Sequence, residues 1–258
     1  MELSNNTILI TGGTSGFGLE FTKRFLALGN TVIITGRNQE KLDEVKRMFP
    51  AVHCFRSNVG FAEDIEELFE KVTGQFPDLN ILINNAGEMR KISLHHHHDL
   101  IDITREIDIN LMGPVRMVQQ FLPHLKTRKN AAIVNVTSGI ALMAFPIAPI
   151  YSASKSGLRA YTQALRVQLK HTRIKVMELV APGSNTPLND KFTEDRAVNE
   201  RALMAPEKIV EAAIRGMEKD QEEVYPGLSK LLRVLSRIAP KFLLRQAAKA
   251  GRDFYTAE

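Results

Sequence analysis

Tyr151 and Lys155 stand four residues apart in Tyr151-Ser152-Ala153-Ser154-Lys155, a spacing that puts a phenol and an amine on one face of a helix. A tyrosine with its ordinary pKa of about 10 is a poor base at neutral pH, and a cation held nearby favours its phenolate. The pair is therefore suited to moving one proton. Such a spacing also arises by chance in a lysine-rich chain, so its setting matters more than its existence. Ahead of it, one apolar run ends in Asn84-Asn85-Ala86-Gly87 and another in Thr137-Ser138-Gly139. Small polar groups thus arrive at strand ends just before the helix that carries the pair.

Further upstream, a run ending at Thr11 leads into Gly12-Gly13-Thr14-Ser15-Gly16-Phe17-Gly18, followed by an amphipathic stretch (Leu19, Phe21, Phe25, Leu26, Leu28) that closes at Gly29-Asn30. Glycines at 12, 16 and 18 permit a tight turn, close approach of backbone to a pyrophosphate, and close packing of helix on strand. The helix N-terminus presents unpaired N–H groups to the phosphates. Thr14, Ser15 and Phe17 share the turn. The second strand ends in Thr35-Gly36-Arg37-Asn38, where dinucleotide folds that hold a ribose 2′-hydroxyl place a carboxylate. Arg37 can instead make a charge-assisted bond to a 2′-phosphate, so NADP(H) is favoured over NAD(H).

The elements that must position these residues are legible as short β-branched runs: Thr7–Thr11, Thr31–Thr35, Val52–Phe55, Asn80–Ile83, Ala131–Val136, Ile174–Val180 and Glu223–Tyr225. Their near-continuous apolarity predicts strands buried on both faces, as in a parallel sheet. Between them, Ile65, Leu68, Phe69 and Val72 follow helical spacing. One long helix is expected from about Thr104 to Leu125, with Ile107, Leu111, Val115, Val118, Leu122 and Leu125 on one stripe. Another begins near Tyr151 and carries Leu158, Leu165 and Leu169. Strand and helix alternate from end to end, which implies right-handed crossovers and helices on both faces of one sheet. No linker or repeat divides the chain, so residues 1–258 read as one domain.

With these motifs in this order, the sequence closely resembles the short-chain dehydrogenase/reductase family over nearly its whole length. The resemblance implies an α/β Rossmann fold, doubly wound around a parallel sheet of seven strands. It implies an NADP(H)-dependent oxidoreductase that interconverts a carbonyl and an alcohol, with Asn110, Ser138, Tyr151 and Lys155 as the catalytic tetrad. Asn85, Ala86 and Gly87 would lie beside the cofactor, which Tyr151 and Lys155 would also touch. In such an enzyme Ser138 holds the substrate oxygen beside Tyr151, which donates the proton as hydride leaves the nicotinamide. The asparagine matching Asn110 holds a water in a proton relay. Two departures stand out. Asn58-Val59 replaces the family's Asp-Val after strand three, and Asn can still accept from adenine N6. Pro182-Gly183 follows strand six and, with Thr186, is expected from the resemblance to contact the cofactor at its nicotinamide amide. It has one residue fewer before Thr186 than the family has, so that either a residue is missing or Ala181-Pro182 takes the Pro-Gly place. A homodimer or homotetramer is expected from the same resemblance.

Gly139-Ile-Ala-Leu-Met-Ala-Phe-Pro146 follows Ser138 and is expected to face the substrate, with Pro187–Met204 as a lid. Such a wall suits a lipophilic carbonyl or alcohol rather than a sugar. The four histidines 95–98 read as an exposed segment, with no metal site assigned. Lone Cys54 cannot form an internal disulfide, and Met1–Thr7 carries no signal-peptide pattern, so a cytoplasmic location is expected. The longest apolar stretch, Ile140–Ile150, falls well short of the roughly 20 residues that span a bilayer. The formal charge is +5. Its excess is concentrated from Ser229 to Arg252, where seven cations (Lys230, Arg233, Arg237, Lys241, Arg245, Lys249, Arg252) recur at helical spacing with no Asp or Glu. Leu231, Leu235, Ile238 and Phe242 line another side, and Pro240 divides the segment. It could contact an anionic membrane, cover the substrate pocket or meet another subunit. Neither a helix-turn-helix nor an aromatic stacking platform is visible, so nucleic acid is not an expected partner. The alternative reading is a sensor or scaffold that binds NADP(H) without chemistry. Intact Ser138, Tyr151 and Lys155 argue against it.

Overall fold

The β-branched runs become strands because their side chains fill both faces of a sheet whose central strands are buried. A computed structural model describes residues 1–193 and 203–256. Its elements run β1 (Thr7–Thr11), α1 (Gly16–Ala27), β2 (Thr31–Gly36), α2 (Gln39–Met48), β3 (His53–Arg56), α3 (Ala62–Gln75) and β4 (Leu79–Asn84). Then come α4 (Leu100–Ile107), a π-helical turn (Asp108–Met112), α5 (Gly113–Lys126), β5 (Ala131–Ser138), a 3-10 turn (Gly139–Leu142) and α6 (Pro149–Gln168). The rest is β6 (Ile174–Ala181), α7 (Asp190–Thr193), α8 (Pro206–Glu218), β7 (Glu223–Val224), α9 (Ser229–Ile238), α10 (Pro240–Ala247) and α11 (Arg252–Thr256).

The seven strands are parallel in the order β3-β2-β1-β4-β5-β6-β7. This is the Rossmann-type, doubly wound sheet that the sequence predicts. Alternate residues of one strand serve opposite faces: Ile8 and Ile10 pack with Phe21, Phe25 and Ile209, while Leu9 packs with Leu68, Phe121 and Leu165. Burying each such side chain contributes about 1.5–3 kcal/mol. Cys54 lies on the edge strand β3 and is only half-buried, with Sγ 3.6 Å from the Leu42 carbonyl. The order reverses between β1 and β4, and ligands of such sheets bind outside the strand ends at that switch point.

The long helix expected over Thr104–Leu125 is broken. Pro114 has no N–H to offer the carbonyl four residues back, that of Asn110, and its ring crowds that oxygen. The chain answers with a π-helical turn, in which Gly113 N bonds to Asp108 O, and restarts as α5. The change of register buries Ile109, Asn110, Met117, Val118, Phe121 and Leu125. Of the expected stripe, Ile107, Leu111, Val115 and Leu122 are only half-buried.

Pro240 ends α9 and opens α10, as its missing N–H requires. Among the described residues, no helix is long and apolar enough to cross a membrane.

Candidate active site

The turn after β1 is shaped for backbone alone. Gly12 and Gly16 have φ of +67° and +51°, which side-chain-bearing residues rarely adopt. A Cβ on Gly18 would sit 2.1 Å from the Gly12 carbonyl oxygen, so any side chain there would push α1 off the strand. Thr11 Oγ1 accepts from the backbone N–H groups of Asn85 and Ala86 at 3.0 and 3.1 Å, and Asn85 Nδ2 donates to the carbonyls of Thr11 and Gly12, each at 3.0 Å. The side chain of Asn85 is thus spent in lacing β1 to β4. Behind it, Asn84 donates to Asn135 and Asn135 to Thr162, each at 2.8 Å, which ties both strands to α6.

A cleft of about 570 Å³ opens at the switch point. The turn lines it with Gly12, Thr14, Ser15, Gly16 and Phe17, the end of β4 with Asn85, Ala86 and Gly87, and α6 with Lys155. Asn58 and Val59 line the end near Arg37. Asn58 Oδ1 accepts from Gly60 N at 3.1 Å, and its own N–H donates to Asp64 at 2.7 Å. A glycine cradle at a helix N-terminus, opening on a cleft of this size, fits a dinucleotide.

Arg37 lines the same end and is 63% exposed. Its Nη1 lies 3.3 Å from Glu88 Oε2, and the other carboxylate oxygen of Glu88 lies 2.5 Å from Arg105 Nη2. Lys41, Arg105 and Glu88 all line the cleft, and sequence reasoning missed them. Lys41 had a local signal: Asn38 caps α2 by accepting from Lys41 N at 3.0 Å, which places Lys41 in the first turn beside Arg37. Glu88 and Arg105 had none, since they meet across 17 residues.

Tyr151 and Lys155 lie one turn apart on α6 and are both buried. Lys155 Nζ donates to the Val136 carbonyl at 2.9 Å and lies 5.8 Å from the centre of the Tyr151 ring. Burial pulls the lysine pKa down to about 8. Burial pushes the Tyr151 phenol up to about 12, against the neighbouring Ser138 hydroxyl, which lowers it, while the Glu106 carboxylate also raises it. Glu106, fully buried, accepts from Arg90 N at 3.0 Å and Arg90 Nε at 3.3 Å. The amide of Asn110 is fully engaged: Oδ1 accepts from Glu88 N, and Nδ2 donates to Glu88 O and Ser154 Oγ, at 2.8, 2.8 and 3.0 Å. It fastens the loop after β4 to the helix that carries Tyr151.

Gly18, Asn110, Ser138 and Tyr151 stand behind the cleft lining rather than in it. Tyr151 belongs to an apolar cluster with Met89, Phe145, Ile147, Phe192 and, from α10, Ala247. Pro182 and Gly183 are also absent from the lining. The chain leaves β6 toward Met204, whose N–H bonds the Gly183 carbonyl at 3.0 Å, and returns to the cleft at Thr186. Thr186 lies against Gly16. Of the expected lid, residues 194–202 lie outside those described. Its stems meet where Ser184 Oγ donates to Met204 O at 2.6 Å. His95, His96 and His97 are exposed, and His98 Nε2 is 2.8 Å from the Ser93 carbonyl oxygen. Asp99 caps α4, accepting from Ile101 and Asp102 N–H groups at 2.9 Å.

Residues 6–197 match the family model described as short chain dehydrogenase. The chain is 36% identical over 225 residues to the uncharacterized oxidoreductase DltE of Bacillus subtilis (strain 168), covering 87% of this chain and 89% of that protein. A short chain dehydrogenase from Burkholderia cenocepacia J2315, solved in complex with NADP, superposes with a TM-score of 0.82 at 24% identity over 96% of this chain and 99% of its own. A Burkholderia phymatum short chain dehydrogenase/reductase solved with NAD gives 0.81 at 20%, over 95% and 97%. These last two likenesses establish the fold. The matched model and the Bacillus relative make the chain a member of the short-chain dehydrogenase family of oxidoreductases.

Proposed function

We propose that the protein is an NADP(H)-dependent oxidoreductase that interconverts a carbonyl and an alcohol on an apolar substrate. The observation that carries this reading is the buried Tyr151 one helical turn from Lys155, which lines the dinucleotide cleft. A bound nicotinamide supplies the hydride to the carbonyl carbon, or accepts it in the reverse direction. The proton is handled by the chain's own side chains. Ser138 hydrogen-bonds the substrate oxygen and holds it beside Tyr151. Tyr151, kept neutral by its raised pKa, gives its proton to that oxygen as the carbon is reduced, and takes it back in the oxidative direction. The Lys155 ammonium favours the phenolate left behind and reaches the ribose hydroxyls. Asn110 completes the set. Its carbonyl, whose α-helical donor Pro114 removes, is offered to a relay water, while its amide positions the loop.

Arg37 and Lys41 beside the cleft, with no carboxylate at the end of β2, support NADP(H) over NAD(H). Gly12, Thr14, Ser15, Gly16, Phe17 and Gly18 take the pyrophosphate in this reading. Asn58, Val59, Asn85, Ala86, Gly87 and Thr186 flank the rest, and Pro182 and Gly183 act only by leading the chain to Thr186. The apolar cluster around Tyr151 supports a lipophilic substrate. Exposed Ile101 on α4 and Val167 on α6 support pairing of subunits as a homodimer or homotetramer. Cys54, the one thiol, suits a reducing cytoplasm. A sheet drawn from Thr7 to Val224 supports a single dinucleotide-binding domain.

The test is NADPH oxidation against apolar aldehydes, ketones and quinones. Turnover that Tyr151→Phe abolishes is the expected result. A wild-type protein that binds NADPH yet reduces none of them is a sensor or scaffold instead.

A further inference from the structure

The helices α9 and α10 are seated the wrong way round for ordinary surface helices, which bury their apolar stripe. Only a narrow inner face is covered. Ser229, Leu243 and Ala247 are buried, and Leu232 rests against Gly139. The richer apolar face looks outward: among the described residues Leu231 and Val234 are each 52% exposed, Ile238 72% and Phe242 52%. Leu231, Val234 and Ile238 follow at spacings of three and four, so they form one stripe of α9.

The same segment carries seven cations and no carboxylate between Ser229 and Arg252. Arg233 is committed inward. It lies 3.3 Å from Glu223 and 4.5 Å over the Tyr225 ring, which pins α9 to the end of the sheet. Among the described residues, none of the other six makes an ion pair. They are Lys230, Arg237, Lys241, Arg245, Lys249 and Arg252.

We propose that this outer face docks on an anionic lipid surface. Apolar side chains flanked by lysine and arginine are what an interfacial helix presents to acyl chains and anionic headgroups at once. The charge argues against a second copy of the chain as occupant, because a twofold contact through this face would set cations against cations with no carboxylate to relieve them. Docking does not depend on the reading of Tyr151. It has a consequence for that reading, since Ala247 of α10 packs in the cluster that contains Tyr151. The lipid-facing α10 thus also packs against the cluster that holds Tyr151.

The test is co-sedimentation of the full-length protein with vesicles of phosphatidylcholine alone and of phosphatidylcholine with phosphatidylserine, at low and high salt. Binding is expected only to the phosphatidylserine vesicles, and salt is expected to weaken it. Ile238→Ser with Phe242→Ser, and separately Lys241→Glu with Arg245→Glu, are each expected to cut partitioning about tenfold or more. All four side chains are exposed. NADPH affinity, read by fluorescence, should stay at the wild-type value in both variants and so report an intact fold. Failure of a protein that binds NADPH to sediment at low salt overturns the proposal. So does sedimentation that neither pair of substitutions weakens. A fall in oligomer mass caused by Ile238→Ser with Phe242→Ser also overturns it, and assigns the face to a subunit contact.

Discussion

Arg37, at the end of β2, reaches over the end of β1 to Glu88, in the loop after β4, with 3.3 Å between Nη1 and Oε2. A 2′-phosphate on Arg37 has to take the place of that carboxylate. Glu88 does not become an orphan when displaced, because Arg105 holds its other oxygen at 2.5 Å. NADPH is therefore expected to bind more tightly than NADH. Hydrogen bonds to charged groups contribute about 1.5–3 kcal/mol, which corresponds to roughly tenfold or more. Arg37→Asp should reverse the order. Glu88→Gln should tighten NADPH more than NADH, since it frees Arg37 and removes a negative charge from the cleft. Fluorescence titration checks all three, and equal wild-type affinities would remove Arg37 from its assigned role.

Tyr151→Phe keeps the ring in its apolar cluster and deletes only the hydroxyl. Turnover should fall by about a hundredfold or more, the scale of a positioned acid, with NADPH affinity almost unchanged. Lys155→Ala should weaken both, because the amine lines the cleft as well as standing beside the phenol. Wild-type rates from Tyr151→Phe on an authenticated substrate would refute the acid/base role.

The two pKa shifts set the pH dependence. With its pKa pushed up to about 12, Tyr151 stays protonated, and so a proton donor, throughout the neutral and mildly alkaline range. Lys155, pulled down to about 8, loses its charge as pH rises through that value. Carbonyl reduction should accordingly decline on the alkaline side of about pH 8, and that limb should vanish in Lys155→Ala. A rate profile with no change between pH 7 and 10 would show that the ammonium is not required.

What was legible in the chain was what neighbours in sequence decide. The turn at Gly12–Gly18, the strand runs and the Tyr151–Lys155 spacing each depend on one period or one backbone conformation. The break at Pro240 was equally local. Pro114 carried the same signal for the π-helical turn, but a 3.6-residue reading of Thr104–Leu125 passed over it. That is why Ile107, Leu111 and Val115 of the stripe are only half-buried while Val118 and Leu125 are in the core. The meeting of Arg37, Glu88 and Arg105 was out of reach, because it depends on β2 and β4 flanking β1. The outward turn of the α9 stripe was hidden for a similar reason. Periodicity finds an apolar face and says nothing of which side the protein covers.

Beside Ser138, Thr137 meets a buried ion pair that no motif announces. Glu178 on β6 is fully buried, and its carboxylate accepts from Thr137 Oγ1 at 2.6 Å and from Arg159 Nη1 at 2.7 Å. Burial raises its pKa, while Thr137 and Arg159 pull it back. Removing the arginine leaves a carboxylate in the sheet with only a hydroxyl to answer it, a loss of about 3–5 kcal/mol. Arg159→Leu should thus lower the melting temperature by roughly 10 °C in a chain of this size. Glu178→Gln added to it should restore much of that loss, since a neutral amide is far cheaper to bury than an unpaired charge. Because Thr137 adjoins Ser138, Arg159→Leu should also slow turnover at temperatures where the variant is still folded. Calorimetry of the two single variants and the double variant checks this. An additive double variant, with no recovery, would mean that Arg159 stabilises the fold through Tyr225 and Glu223, which it also contacts at 2.9 and 3.4 Å, rather than through Glu178.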